Sequence, residues 1–238
     1  MLDAALIAAV FLLAGFSKGL VGAGLPTIAM ALLTLLASPA EAAALLLLPS
    51  LVTNLVQITP LRDARRLAGR LWPMLLGVVV GTALGGWVWG GFGGRHGTML
   101  LGVALAGYGA LGLLAWRPRW PERLGVPVGA ATGMLTAATG VFVLPAVPWL
   151  QGIGLARDDL VRALGLAFLV STLALGVLLG GAGALDGPAL LASGLALVPA
   201  LAGQGLGAGL RGRLSEATFR RVFSVGLLVM GCVIALRG

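Results

Sequence analysis

Charge is scarce in this chain: only 10% of its 238 residues are Asp, Glu, Lys or Arg, against about 25% in an ordinary soluble domain. With 59% hydrophobic residues and a mean hydropathy of +1.04, a soluble fold is excluded. Aromatic residues are also few, at 6%. The apolar stretches lack the alternation over about ten residues that marks an outer-membrane barrel strand, so the spanning elements are expected to be helices. A single cysteine, Cys232, leaves no disulfide and no thiol metal site within one chain. One histidine, His96, and a few acids, mostly at segment ends, supply neither paired carboxylates, nor a nucleophile with its base, nor a pair of axial ligands. Membrane-embedded hydrolysis and haem or metal redox chemistry are therefore disfavoured, and no cofactor is expected. The opening Met1-Leu2-Asp3 has no basic stretch before the first apolar run. That run is expected to remain as a membrane segment rather than to be cleaved.

Glycine, by contrast, is plentiful, with 39 residues that follow no three-residue period and lie inside apolar runs. They read as helix-packing and helix-breaking positions. The net charge is +8, carried by arginines in short clusters between apolar segments and not on one soluble face, so nucleic acid is not an expected partner. The bilayer is.

Eight apolar segments can be read, at about 4–37, 40–59, 71–90, 97–116, 124–155, 160–180, 187–210 and 217–236. The first and fifth are too long for one crossing: a straight helix of 34 residues would measure about 51 Å against a hydrocarbon core near 30 Å. Each also carries breakers, namely Gly19, Gly22, Gly24 and Pro26 in the first and Gly133, Gly140, Pro145 and Pro148 in the fifth. The likeness extends further. Pro39-Ala-Glu41 matches Arg157-Asp-Asp159, and Thr53-Asn54 matches Ser171-Thr172, both at an offset of 118. Pro73-x3-Gly77-x3-Gly81 recurs as Pro199-x3-Gly203-x3-Gly207, out of step with that offset.

Arginine counting decides the path. If all eight segments cross, the arginines divide eight against seven, which is no bias; if the long segments turn back as hairpins, they divide thirteen against two, Arg95 and Arg237. The second split is a strong positive-inside signal. The expected fold is an all-α polytopic membrane protein of two inverted repeats, 1–119 and 120–238, each a broken or re-entrant helical hairpin plus three transmembrane helices. The protein is expected as a multi-pass chain in the bacterial inner membrane, arginine loops in the cytoplasm and both termini in the periplasm. Inverted repeats with paired broken helices place a solute site near the midplane.

The residues Ala14-Gly-Phe-Ser-Lys-Gly-Leu-Val-Gly-Ala-Gly-Leu-Pro26, Pro39-Ala-Glu-Ala-Ala-Ala44 and Leu48-Pro-Ser-Leu-Val-Thr-Asn-Leu-Val-Gln57 resemble the sulfite exporter TauE/SafE family. So do Thr132-Gly133, Thr139-Gly-Val-Phe-Val-Leu-Pro145, Trp149-Leu-Gln151 and Leu164-Gly-Leu-Ala-Phe-Leu-Val-Ser-Thr172 in the second half. The resemblance covers nearly the whole chain. It implies export of a small sulfur-bearing anion such as sulfite, sulfoacetate or another organosulfonate. The tip Gly22-Ala-Gly24 is leaner than the glycine runs common in such proteins.

The candidate binding residues follow from the membrane setting. Lys18 is the only basic side chain inside an apolar segment away from its ends. It is expected either to attract the anion or to snorkel to an interface. Gly22 and Gly24 shape the tip, and backbone N–H groups from Gly24 to Thr27 open the outgoing half-helix, where a helix dipole favours an anion. Thr132, Thr136 and Thr139 offer hydroxyls around the second break, with bonding back to their own helix as the alternative. Asn54, Gln57, Ser171 and Thr172 come from the helices after the two hairpins. Asn54 is the strongest of these, because a buried amide needs partners. Gln204, between Gly203 and Gly205, either reaches a cavity or bridges two helices. Glu41 and Asp159 read as caps or interface charges, and His96 as a solvated loop residue.

Two other functions are compatible with a polytopic chain. A cation or other small-solute transporter would want Asp or Glu at the midplane, where none falls. A membrane assembly subunit without transport would need no broken helices around a lysine. A coupling ion, H+ or Na+, belongs to the transport reading. Faces such as Gly77, Gly81 and Gly85 join helices either within a protomer or across a homodimer.

Overall fold

The computed structural model describes residues 3–93, 96–114, 120–211 and 215–237. Arg95, Arg117, Arg119 and Arg213 of the arginine count, and the junction of the two halves at 119, lie outside the described residues. Ten α-helices follow one another: α1 (Ala4–Val21), α2 (Leu25–Leu33), α3 (Pro39–Gln57), α4 (Leu61–Val88), α5 (Gly97–Leu113), α6 (Gly125–Thr139), α7 (Ala146–Gly152), α8 (Arg157–Gly181), α9 (Gly187–Leu210) and α10 (Glu216–Arg237). No strand occurs among the described residues. Six of these helices, α1, α3, α4, α8, α9 and α10, are long and apolar enough to cross a membrane, and α5 is a shorter apolar helix. Outward-facing Val177, Leu195, Val198, Val222 and Leu236 are exposed. In a bilayer these positions meet lipid, which solvates hydrocarbon without penalty. The protein is an all-helical, multi-pass membrane protein.

Both long segments break where their glycines fall. Gly22 ends α1 in the left-handed region, φ +82°, and Gly24 follows at φ +114° before Pro26 opens α2. Only glycine enters that region without a Cβ penalty. Gly140, φ +70°, ends α6 in the same way, and Pro145 precedes α7. Proline lacks the donor that would carry a helix through the break.

One feature was left open by the sequence and one differs from its expectation. The sequence did not give the lengths of the two limbs of the first segment. Its first limb, α1, has 18 residues and reaches about 27 Å at 1.5 Å per residue, while α2 has nine. The break falls at Gly22, just past the middle of the 4–37 run, and the outgoing limb is the shorter because α2 ends at Leu33. The third segment, expected from 71, begins at Leu61, so Arg62 to Arg70 lie on helix α4 and not in a loop. Ala64 and Leu67 explain this, since they are buried against Ile58 and Leu166, and a helical stripe of that kind carries the arginines along on its other face. Arg66 pairs with Asp159 at 2.8 Å, Arg162 lies 3.6 Å from Asp63, and Arg70 meets Glu122. Glu41 closes a capping box with Ser38 at the start of α3. Asp159, its match at the offset of 118, pairs with Arg66 instead and caps nothing.

Glycine seams hold the bundle, one of them between α5 and α10 at Gly102, Gly109 and Gly231. A Cβ on Gly203 or Gly207 of α9 would lie 2.1 Å from the backbone oxygens of Leu12 and Phe16 in α1. On α4, a Cβ at Gly77 or Gly81 would lie 2.4 or 2.1 Å from the oxygens of Val126 and Ala130 in α6. The recurrent Pro-x3-Gly-x3-Gly pattern therefore marks packing surfaces in both places, one set against α1 and the other against α6, the helices that open the two broken segments. Gly85 also meets α6, through Met134 and Ala137, so this face is spent within the protomer. α3 rests on α9 as α8 rests on α4. The tip at Gly22 lies beside Gln57, just before α4 begins, and the tip at Gly140 lies beside Phe92, just after α4 ends. The two tips are at opposite ends of the molecule.

This packing sets a test. Gly203→Ala forces α9 and α1 apart and should cost about 1 to 3 kcal/mol, as overpacking does. Gly205→Ala, whose Cβ would have no neighbour within 4 Å, should leave stability unchanged or slightly raised. Thermal denaturation in detergent compares them, and equal midpoints would contradict the seam.

Candidate functional site

The site begins with a proline. Pro49 inside α3 has no N–H to give the carbonyl four residues back, Leu45 O. Ser193 from α9 takes that place, donating to Leu45 O at 2.9 Å and accepting from Leu48 N at 3.0 Å. One turn on, Thr53 Oγ1 donates to Pro49 O at 2.6 Å, which turns its oxygen lone pairs into the bundle.

Lys18 meets them. It stands in the last turn of α1, where a cation is favoured by the helix dipole. Helical side chains lean toward the N-terminus, so the ammonium reaches back from the tip into the bundle. Its Nζ donates to Thr53 Oγ1 at 2.9 Å and to Asn54 Oδ1. Asn54 passes the chain on, its Nδ2 donating to Ser50 Oγ at 3.4 Å and to Thr172 Oγ1 at 3.3 Å on α8. Asn54 and Thr172 are 118 residues apart. The repeat offset thus joins two residues that touch, at the crossing of α3 and α8. Lys18 is only 1% exposed, yet no carboxylate lies within ion-pairing distance of it among the described residues.

A cavity of about 400 Å³ opens against this cluster, lined among others by Lys18, Gln57, Asp158, Arg162, Gln204 and Arg211. Gln57 Nε2 donates to Gly22 O at 2.8 Å and Val161 O at 2.7 Å, pinning the hairpin tip to α8. Gln204 Nε2 donates to Thr53 O at 3.2 Å. Arg211, just past α9, forks onto Gly19 O through Nε at 3.0 Å and Nη2 at 2.6 Å. Burial and the neighbouring Arg157 lower its pKa from the ordinary value, opposed by Asp158. The tip is therefore held by two groups, Gln57 and Arg211, that take up backbone carbonyls left over where α1 ends. Chemically the arrangement offers positive charge and hydrogen-bond donors to an anion entering from the end of the molecule that carries Asp63, Arg66 and Asp159.

Of the residues singled out in the sequence, Lys18, Asn54, Gln57, Thr172 and Gln204 come together, and Gly22 joins through Gln57. Gly24 and Thr27 do not line this cavity. Thr27 Oγ1 donates to Gly24 O at 3.1 Å, and the space beside Gly24 is filled by Ser17. Ser171 is buried beside Thr172, but its Oγ has no hydrogen-bond partner among the described residues. Thr132, Thr136 and Thr139 donate back to Val128 O, Thr132 O and Leu135 O on their own helix. Sequence reading passed over Ser50, Thr53, Arg162 and Arg211. Arg211 had a signal: Gln204, Ala208 and Arg211 stand at i, i+4 and i+7 and share one helical face. It was submerged because an arginine at a helix end already had a topological explanation.

The family model described as Sulfite exporter TauE/SafE matches residues 7–234. No curated protein and no solved structure matches the chain. The matched span takes in both broken segments, the seams and every residue lining the Lys18 cavity, so the chain belongs to the sulfite exporter TauE/SafE family of membrane transporters.

Proposed function

We propose that this protein exports a small anion, sulfite or an organosulfonate such as sulfoacetate, across the bacterial inner membrane, and that Lys18 is its electrostatic anchor. One observation carries the reading: a fully buried ammonium faces only neutral acceptors, Thr53 and Asn54. A desolvated charge without a counter-charge costs several kcal/mol. A bound anion offsets that cost at the moment of binding, and its departure restores it, which suits a solute that must be both held and released. Arg162 Nε, buried and without a hydrogen-bond partner among the described residues, is a second donor on a residue that lines the same cavity.

The two halves, 1–119 and 120–238, act as inverted repeats in this reading. Its support is the recurrence of helix order, the 118-residue match and the paired seams of α1 on α9 and α6 on α4. The cavity lies at the arginine-bearing end, which the positive-inside rule assigns to the cytoplasm. The anion enters there, reaches Lys18 and leaves when the halves rock about the crossing of α3 and α8. A coupling ion, H+ or Na+, would set the direction of net flux. A cation transporter is less well served, because Asp158 at the cavity mouth is the only carboxylate lining it among the described residues.

Topology is tested by fusions. Alkaline phosphatase placed after Gly238 should be active and a cytosol-folding fluorescent reporter dark, with the pattern reversed after Arg66. Termini on opposite sides would sink the inverted arrangement.

Lys18→Gln keeps a hydrogen-bond donor and removes the charge. Losing a charge-assisted contact costs about 1.5 to 3 kcal/mol, so sulfite affinity should fall roughly ten- to a hundredfold at unchanged membrane abundance. Lys18→Arg keeps the charge on a bulkier, planar group and should retain part of the activity. Export by Lys18→Gln at the wild-type rate would overturn the anchor.

A further inference from the structure

We infer that the anion held at Lys18 carries a hydrogen-bond donor of its own: hydrogensulfite or a hydroxyl-bearing sulfonate fits this cavity better than a fully deprotonated, donor-free oxyanion. The inference rests on the anion reading above and narrows its substrate class.

The cavity presents unpaired groups of both kinds. On the donor side, Lys18 Nζ uses two of its three N–H bonds, on Thr53 and Asn54. Arg162 turns its Nη atoms toward Asp63 at 3.6 Å and Asp159 at 3.8 Å and leaves Nε without a hydrogen-bond partner among the described residues. These can hold the oxygens of a sulfonate or sulfite. On the acceptor side stand two amide oxygens, Gln57 Oε1 and Gln204 Oε1, both buried and both without a hydrogen-bond partner among the described residues.

Their orientation is settled by chemistry. The Gln57 NH2 faces two backbone carbonyls, Gly22 O and Val161 O, and the Gln204 NH2 faces Thr53 O. A carbonyl only accepts, so neither amide can be turned over without setting oxygen against oxygen. The Oε1 atoms are therefore the unpaired edges of both groups, on residues of α3 and α9 that line the cavity together with Lys18 of α1. Gln204 is only 9% exposed, and buried acceptors of this kind are normally satisfied.

A ligand with only lone pairs, such as sulfate, sulfoacetate or ethanesulfonate, can engage Lys18 and Arg162 but sets its own oxygens against the two amides. A monoanion with an O–H engages both sets at once. Sites built to pair with a ligand hydroxyl discriminate strongly against the analogue that lacks it.

The test compares two sulfonates of equal carbon chain and charge, 2-hydroxyethanesulfonate and ethanesulfonate, by isothermal titration of the full chain in nanodiscs. The hydroxyl compound should bind about tenfold more tightly. Gln204→Met and Gln57→Met should each pull that ratio toward one, which a purely structural role for the amides would not do. Equal affinities in the wild type, or a ratio unchanged in both variants, would overturn the inference. The wild-type ratio decides alone where a variant fails to fold. Lys18→Gln separates the two readings. If it loses both sulfonates while the wild-type ratio is one, the anion site stands and the donor requirement falls. If it binds both as wild type does, the anchor itself falls.

Discussion

Everything at the centre of this molecule answers to one ammonium group held out of water without a carboxylate. The cost of such a charge is met in part by two neutral oxygens, Thr53 Oγ1 and Asn54 Oδ1. Each of those depends on a further partner: Thr53 on the carbonyl of Pro49, Asn54 on Ser50 and Thr172. The chain of dependence thus runs from α1 through α3 into α8. Neutral acceptors orient a cation but do not neutralise it, and an anion is the species that completes the set.

The broken helix is what allows the lysine to be there. An uninterrupted α1 would carry Lys18 onward along a continuous helix. The left-handed turn at Gly22 instead ends the helix four residues later. The carbonyls released at that end are the ones that Gln57 and Arg211 take up, at Gly22 O and Gly19 O. Side chains that line the cavity are therefore also the ones that hold its tip. Moving the tip must change the cavity.

Much of the architecture was legible before any coordinates. Composition excluded a soluble fold, and the breaks at Gly22 and Gly140 fell where glycine and proline had placed them. α9 began and ended at the expected residues, Gly187 and Leu210. The start of α4 was misjudged because arginines were read as loop charges, although Ala64 and Leu67 already carried the helical stripe inward. The seam pattern at Gly203 and Gly207 was visible, but its partner, the backbone of Leu12 and Phe16, was not.

At the site the division is physical. Sequence by itself determined that an intramembrane lysine lies near a helix break, because hydropathy and backbone preference are local properties that each short stretch carries with it. It also singled out Asn54, Gln57, Thr172 and Gln204 as polar groups at membrane depth, since desolvation penalises them wherever they point. Which way they point was decided only by the tertiary structure. All five threonine hydroxyls donate back to their own helix, but those of Thr53 and Thr172 also accept, from Lys18 and Asn54, whereas those of Thr132 and Thr136 only close onto α6. Helix rotation is fixed by the close approach of backbones at distant glycines, and no local stretch encodes it. The same rotation brought Arg162 and Arg211 off the surface and onto the cavity wall, where a count of charges had placed them only on one side of a membrane.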